Sequence, residues 1–313
     1  QSFMFARDFW YYDEAHPAAP LDTLHTAYHA PGTGNIFWRS SWTEDATWAA
    51  LIAGPYTESH AHRDQGSLLI YRNEWLGYDQ NIESHSGLAQ AEQAHNLVRI
   101  DDGDQTITMV PGHAAELVAL HDTPDFVYLA ADITPIYAGA AAVDRHQREL
   151  VIVESEQTFV LFDRVDADGE PVWQLNSQIM PSATASGYLL DGDSDGLEIL
   201  PIAPANPNAT IVDWTVDPDM YAGFRLDLRD ASGDAPRFLV VLAPPGVVLS
   251  ATSIDELDQL GVDLVFVSGA AASVRFASDA LGGSLTLDGP GGEPLHDGTL
   301  DPGVDELPLL ASP

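Results

Sequence analysis

The chain contains no cysteine and no lysine. The first absence excludes disulfides, thiolate metal sites and a cysteine nucleophile. The second leaves arginine as the whole supply of 12 basic side chains against 48 acidic ones, a formal net charge of −36. A surface of that sign repels nucleic acid and anionic membranes. It also repels itself in dilute buffer, and salt screens that repulsion, so a salt-adapted bacterium or archaeon is the expected source. No apolar run approaches the roughly 18 residues of a membrane span. No secretory leader is visible, although a secreted or periplasmic setting is the one expected. Phosphate-cradling loops, GxGxxG and GxSxG are absent. The sequence opens on Gln1 and reads as a processed or trimmed chain.

What is present is material for a large core. The 313 residues are 45% apolar, too rich for disorder and enough for one or two domains. From residue 36 onward the pattern is one short strand after another. Residues 36–39, 48–53, 97–101, 126–130, 149–153 and 158–163 are apolar runs between turn residues, and similar runs recur to 287. Residues 67–72 and 74–79 flank Asn73 and read as a hairpin. Helical expectation is limited to a short helix opening the 1–35 stretch and to two short stretches, 87–94 and 253–260. Many short strands with few helices predict an all-β fold, a large antiparallel β-sandwich. The expected division is a connector over 1–35, a sandwich over 36–290 and a loop-like tail over 291–313.

Against this background one cluster calls for chemistry: His60-Ala-His62-Arg63-Asp64-Gln-Gly66, then Asp79, then His95-Asn96. On an extended strand His60 and His62 would share a face, because side chains alternate with period two. His62, Asp79 and His95 are types that bind Zn²⁺, and equally Mn²⁺ or Fe²⁺. The competing reading is a buried His–Asp hydrogen-bond network without metal. Asp64 is placed to orient a histidine. Arg39, Arg63, Arg72 and Arg99 fall in the same region. They suit either internal ion pairs or a pocket for an anionic ligand, since arginine grips carboxylates bidentately. His85 and His146 are further candidates to line the cavity, and Tyr56 and Tyr71 lie near the motif. The acidic stretch Asp191–Gly196 resembles a Ca²⁺ loop only loosely.

These residues resemble a known family. The run Gly32-Thr-Gly-Asn-Ile-Phe-Trp-Arg39-Ser-Ser-Trp42, with Gly54-Pro-Tyr56, His60 to Ser67, Tyr78-Asp79 and His95-Asn96, is similar to the heparinase II/III-like polysaccharide lyases. Ala131-Asp132, Tyr137, Arg148, Val160 to Arg164 and Trp173-Gln-Leu175 continue the likeness, which covers roughly 30–180. The resemblance implies a β-sandwich with a structural Zn²⁺ held by His62, Asp79 and His95. It implies that His60 faces the substrate cleft as base or carboxylate partner. Arg63 and Tyr56 are the other catalytic candidates, and Arg39, Arg72, Arg99 and His85 the substrate-binding ones. The implied reaction is β-elimination on a uronate-containing anionic polysaccharide or oligosaccharide. Family members carry a helical toroid before the sandwich, so the expected partners include a toroid domain or subunit, and a homo-oligomer is a further expectation. Two alternatives from other classes stand beside this one. They are a non-catalytic carbohydrate-binding module and a metal-dependent glycan hydrolase.

Overall fold

The structure, a computed structural model, describes residues 20–21, 24–57, 61–80, 90–137, 140, 142–216, 223–230 and 237–305. Among them the helical segments are short 3-10 turns, and everything else that is regular is strand. The fold is the all-β sandwich expected, and it has three layers.

The central layer is a nine-stranded sheet built around Phe126–Asp132, Val143–Val153, Thr158–Ala167 and Arg237–Ala243. These strands read as nearly continuous apolar runs because both of their faces are covered. Leu129, Leu150, Leu161 and Val240 enter the front core, while Tyr128, Val151, Val160 and Leu239 enter the back core. The back layer is a five-stranded meander, Val248–Glu256, Gln259–Phe266, Ala271–Ala277, Gly283–Asp288 and Pro294–Leu300. The front layer is two sheets side by side. One holds Ala27–Ala30, Asn35–Arg39, Trp48–Ile52, Leu68–Arg72 and Glu74–Gly77 in that order. The other centres on Val98–Asp102, Glu170–Ser177 and Phe224–Arg229. A backbone bond from Tyr78 N to Asn176 O, 2.8 Å, joins them.

The hairpin at Asn73 forms as read, with Asn73 in the left-handed region at φ 55°. Three local expectations are corrected. Residues 253–260 are not helical. They end one strand, turn at Leu257-Asp258 and begin the next. Pairing with a neighbour outweighs local helix propensity there, and Ile254 gains burial at 8% exposure. The tail read as loop contains Pro294–Leu300, whose Leu300 is 1% exposed in the back core. The stretch read as connector contains Ala27–Ala30, paired to Asn35–Arg39. Residues 1–19, 81–89 and 306–313 lie outside the described residues.

Two buried ion pairs fasten the layers together. Arg148 and Asp163 face each other across adjacent central strands, with Nε to Oδ1 at 2.6 Å and Nη2 to Oδ2 at 3.0 Å. The next residue on each strand, Glu149 and Arg164, points to the opposite face and forms a second pair at 2.5 Å. Arg164 Nε donates to Ala277 O at 2.8 Å, and Glu149 accepts from Gly282 N at 2.8 Å, both on the back sheet. Arg148 reaches forward instead, to the loops described next.

Candidate metal centre

His62, Asp79 and His95 arrive from three separate loops. His62 lies between the short strand Pro55–Tyr56 and Leu68–Arg72, in non-strand backbone. His62 therefore does not stand on a strand as expected, and His60, its partner in that expectation, lies outside the described residues. The chain turns there because Ser67 N donates to Asp64 O at 2.8 Å and Gly66 takes φ +86°. Such a φ strains any residue with a Cβ. Asp79 follows Glu74–Gly77, and Gln80 N donates to Ala94 O at 3.1 Å, which draws that loop to the His95 segment.

One ligand atom from each of the three residues lies within 4.8 Å of the others. The His62 and His95 ring centroids are 5.2 Å apart, and His95 Nδ1 is 3.2 Å from Asp79 Oδ2. Tetrahedral zinc at its usual bond lengths spaces donors about 3.4 Å apart, so a modest contraction closes the set. His95 is 0% exposed, and neither ring nitrogen makes an aligned hydrogen bond. An unmet buried donor or acceptor costs about 1–3 kcal/mol. A cation among these side chains answers that demand. Two imidazoles and a carboxylate are chemically suited to one.

The electrostatics favour a cation at this point, either a metal ion or the proton of a His95–Asp79 pair. Burial lowers the His95 pKa, but Asp79, with smaller help from Asp64 and Glu92, more than reverses this and holds it above the usual value. His62 is pushed below the usual value by burial and by the His95 charge, so its imidazole is the neutral, ligand-ready form. Burial raises both Asp64 and Glu92. Positive charge is wanted at this point.

A shell of amides fixes the His95 backbone: Asn96 and Gln174, from the segments that carry the family resemblance, and Asn176, which those segments do not include. Gln174 Nε2 donates to His95 O at 2.6 Å, and Asn176 Nδ2 donates to the same oxygen at 3.1 Å. Asn96 Oδ1 accepts from Asn176 N at 2.6 Å, and its Nδ2 donates to Leu68 O at 3.0 Å. Arg148 Nη1 donates to Gly66 O at 2.6 Å and Asn96 O at 2.9 Å, clamping the His62 and His95 loops together. The signal was available: Gln174 and Asn176 alternate with core residues Trp173 and Leu175, so one face of that strand is polar.

The remaining candidates separate. His60 and His85 lie outside the described residues. Arg63 is at the cluster, 3.7 Å from Glu92, with its backbone N donating to Gln90 O. Tyr56, read as catalytic, is instead a core side chain at 8% exposure. Arg99, read as substrate-binding, is 3% exposed and spent on Asp101, Asp227 and Gln174. Arg72, read likewise, pairs with Asp195 and donates to Gly196 O at 3.1 Å, pinning the acidic 191–196 turn. For both the ion-pair alternative holds, because a buried guanidinium requires a counter-charge. Arg39 has no carboxylate partner among the described residues and is bonded to Ser41 O at 2.8 Å. His146 is buried and stacked on Tyr137, and burial together with Arg148 lowers it to about 3.

Comparison with known proteins places this geometry. The family model "Heparinase II/III-like, C-terminal" matches residues 24–200. Among solved structures, a heparan sulfate lyase HepC from Pedobacter heparinus aligns with a TM-score of 0.64 at 17% identity, over 89% of this chain and 47% of that one. A heparinase III structure aligns with a TM-score of 0.60 at 16% identity, over 80% of this chain and 42% of that one. At such identity the likeness is one of fold. The chain spans less than half the length of these structures. No curated protein sequence matches.

Proposed function

Because the chain belongs to the heparinase II/III-like C-terminal family, matched over more than half of its length, we propose that it is the metal-binding sandwich of a polysaccharide lyase. The reaction is β-elimination on a uronate-containing anionic glycan. The observation that carries this reading is the His62–Asp79–His95 cluster, with its fully buried His95, inside the matched segment. The three residues would hold Zn²⁺, which when bound cross-links three loops in a chain that has no disulfide to do so.

The role assigned to the metal is structural, and the chemistry belongs to side chains beside it. His60, two residues from His62, is the proposed base or carboxylate partner. In the reaction a base takes the proton from the carbon bearing the uronate carboxylate. The neighbouring carbon then loses its bond to the glycosidic oxygen, a double bond forms between the two carbons, and the oxygen is protonated. A cationic group beside the carboxylate makes that proton more acidic. Arg63 at the cluster is the described arginine best placed for this, since it is the more exposed and only loosely paired, 3.7 Å from Glu92, whereas Arg72 and Arg99 are less exposed and held in close ion pairs.

The test is the ultraviolet absorbance of unsaturated uronate product on alginate and on a glycosaminoglycan. It is measured for this chain alone and with a helical toroid domain supplied. The expected result is weak activity alone, a large gain on adding the toroid, and loss of at least 100-fold in His60→Ala. Products without a double bond, lost on chelation, would instead support metal-dependent hydrolysis. Glycan retention with no product in any arrangement would support a non-catalytic binding module.

A further inference from the structure

The outward face of the first front sheet carries a row that the metal centre does not use. Cross-strand register aligns Arg39 with Trp48, Trp48 with Tyr71, and Tyr71 with Trp75 across four adjacent strands. Their strand neighbours Trp38, Ala49, Ile70 and Leu76 are the residues that enter the front core, so this row points the other way. All four are half-buried rather than covered. The rings pack edge to face, Trp48 on Trp75 at 5.7 Å and Tyr71 on Trp75 at 5.3 Å. Phe37 extends the group, 6.1 Å from Trp48, and faces Ala50 across the pair of strands. Three strand spacings make the row about 14 Å long, the reach of a short oligosaccharide.

Arg39 ends the row and differs from its fellows. Every other described arginine has a carboxylate within ion-pair distance. Arg39 is held by the carbonyls of Ser41 and Thr43 and lies 4.6 Å over the Trp42 ring. The exposed Glu44 and Asp45 nearby do not pair with it. In a chain with four acidic residues for each basic one, leaving this guanidinium without a carboxylate is conspicuous. At the other end, Trp75 is 6.1 Å from Tyr78, the residue before Asp79. The row therefore starts at an arginine with no acidic partner among the described residues and ends on the strand that leads into Asp79.

We propose that this row is a binding platform for an acidic oligosaccharide, on the sheet whose last strand leads into Asp79. The C–H faces of pyranose rings stack on the electron-rich faces of Trp48 and Trp75, and a uronate carboxylate is taken by Arg39. The choice of an acidic sugar rests on the lyase reading, whereas the platform rests on the sheet register and the pairing of the arginines. The local positive charge of Arg39, not the chain's overall charge of −36, selects a carboxylate-bearing occupant here.

The test is affinity electrophoresis of the full chain through gels containing a polyuronate or its carboxyl-reduced counterpart, at fixed salt. The polyuronate should retard the wild type, and Trp75→Ala and Arg39→Gln should each weaken retardation tenfold or more with circular dichroism unchanged. Carboxyl reduction should weaken wild-type binding to the level of Arg39→Gln, and the variant should no longer distinguish the two polymers. Arg39→Gln is the deciding variant should Trp75→Ala misfold. Retardation unaffected by Arg39→Gln, no retardation at all, or dimers in sedimentation that Trp75→Ala dissolves would each overturn the platform. Binding that depends on the row, without elimination product from the toroid-supplied protein, would sink the lyase reading and leave the platform standing. Product whose formation ignores the row would do the reverse.

Discussion

At the scale of single residues the design rests on a few side chains that do two things at once. Arg148 neutralises Asp163 and also holds the carbonyls of Gly66 and Asn96. Arg148→Met leaves Asp163 as an uncompensated buried charge, so a loss of about 3–5 kcal/mol is expected in denaturant unfolding. Metal affinity should fall with it, because the His62 and His95 loops share that clamp. Glu154 gives a pH effect of definite sign. Burial, with a contribution from Asp122, pushes its carboxyl up to about 7 against the hydrogen bond from Trp38 Nε1. The folded chain thus holds this proton more tightly than the unfolded one, whose carboxyl has the ordinary value of 4.5. The contribution is fully present below about pH 4.5 and is lost as pH rises through about 7, a change on the order of 3 kcal/mol. Glu154→Gln should flatten this part of the stability profile and raise stability at pH 8. An unchanged profile would show that the buried carboxyl is not the source.

At the scale of elements, the strands were legible and their partners less so. Hairpins such as 68–72 with 74–77 show in sequence because both halves and the turn are local. The third layer was not read from sequence, although residues 126–130, 149–153 and 158–163 lack the polar alternation of a sheet with one solvated face. The segment 253–260 misled because its composition suits a helix while its environment is a sheet edge. The tail misled because Gly, Pro and Asp mark turns, and here they flank a short strand rather than replace it. Deleting 291–313 removes that strand and uncovers Leu285 and Leu287, which are buried on its neighbour. Cooperative thermal unfolding should broaden or vanish in the truncated chain. If it is unchanged, the strand is dispensable.

For the whole molecule, charge and site belong to different parts of the account. The site was legible to the extent that its donors are chemically distinctive: His62, Asp79 and His95 were picked from sequence and meet in space. The partners of the supporting amides and of the arginines were not, because pairing across 75 to 128 residues leaves no local mark, although the polar strand face of Gln174 and Asn176 and the ion-pair alternative for the arginines were open to sequence. The excess of acid predicts that melting temperature falls by roughly 5 °C or more between molar salt and dilute buffer. Equal stability in both would remove the argument for salt adaptation. The claim on which the rest depends is that His62, Asp79 and His95 bind a metal ion. The direct measurement is elemental analysis of the chain after exposure to zinc and removal of the excess, beside His95→Ala treated identically. The account predicts one zinc per chain in the wild type, little in the variant, and a melting temperature that zinc raises only in the wild type. Zinc absent from the wild type, or retained equally by the variant, would contradict it.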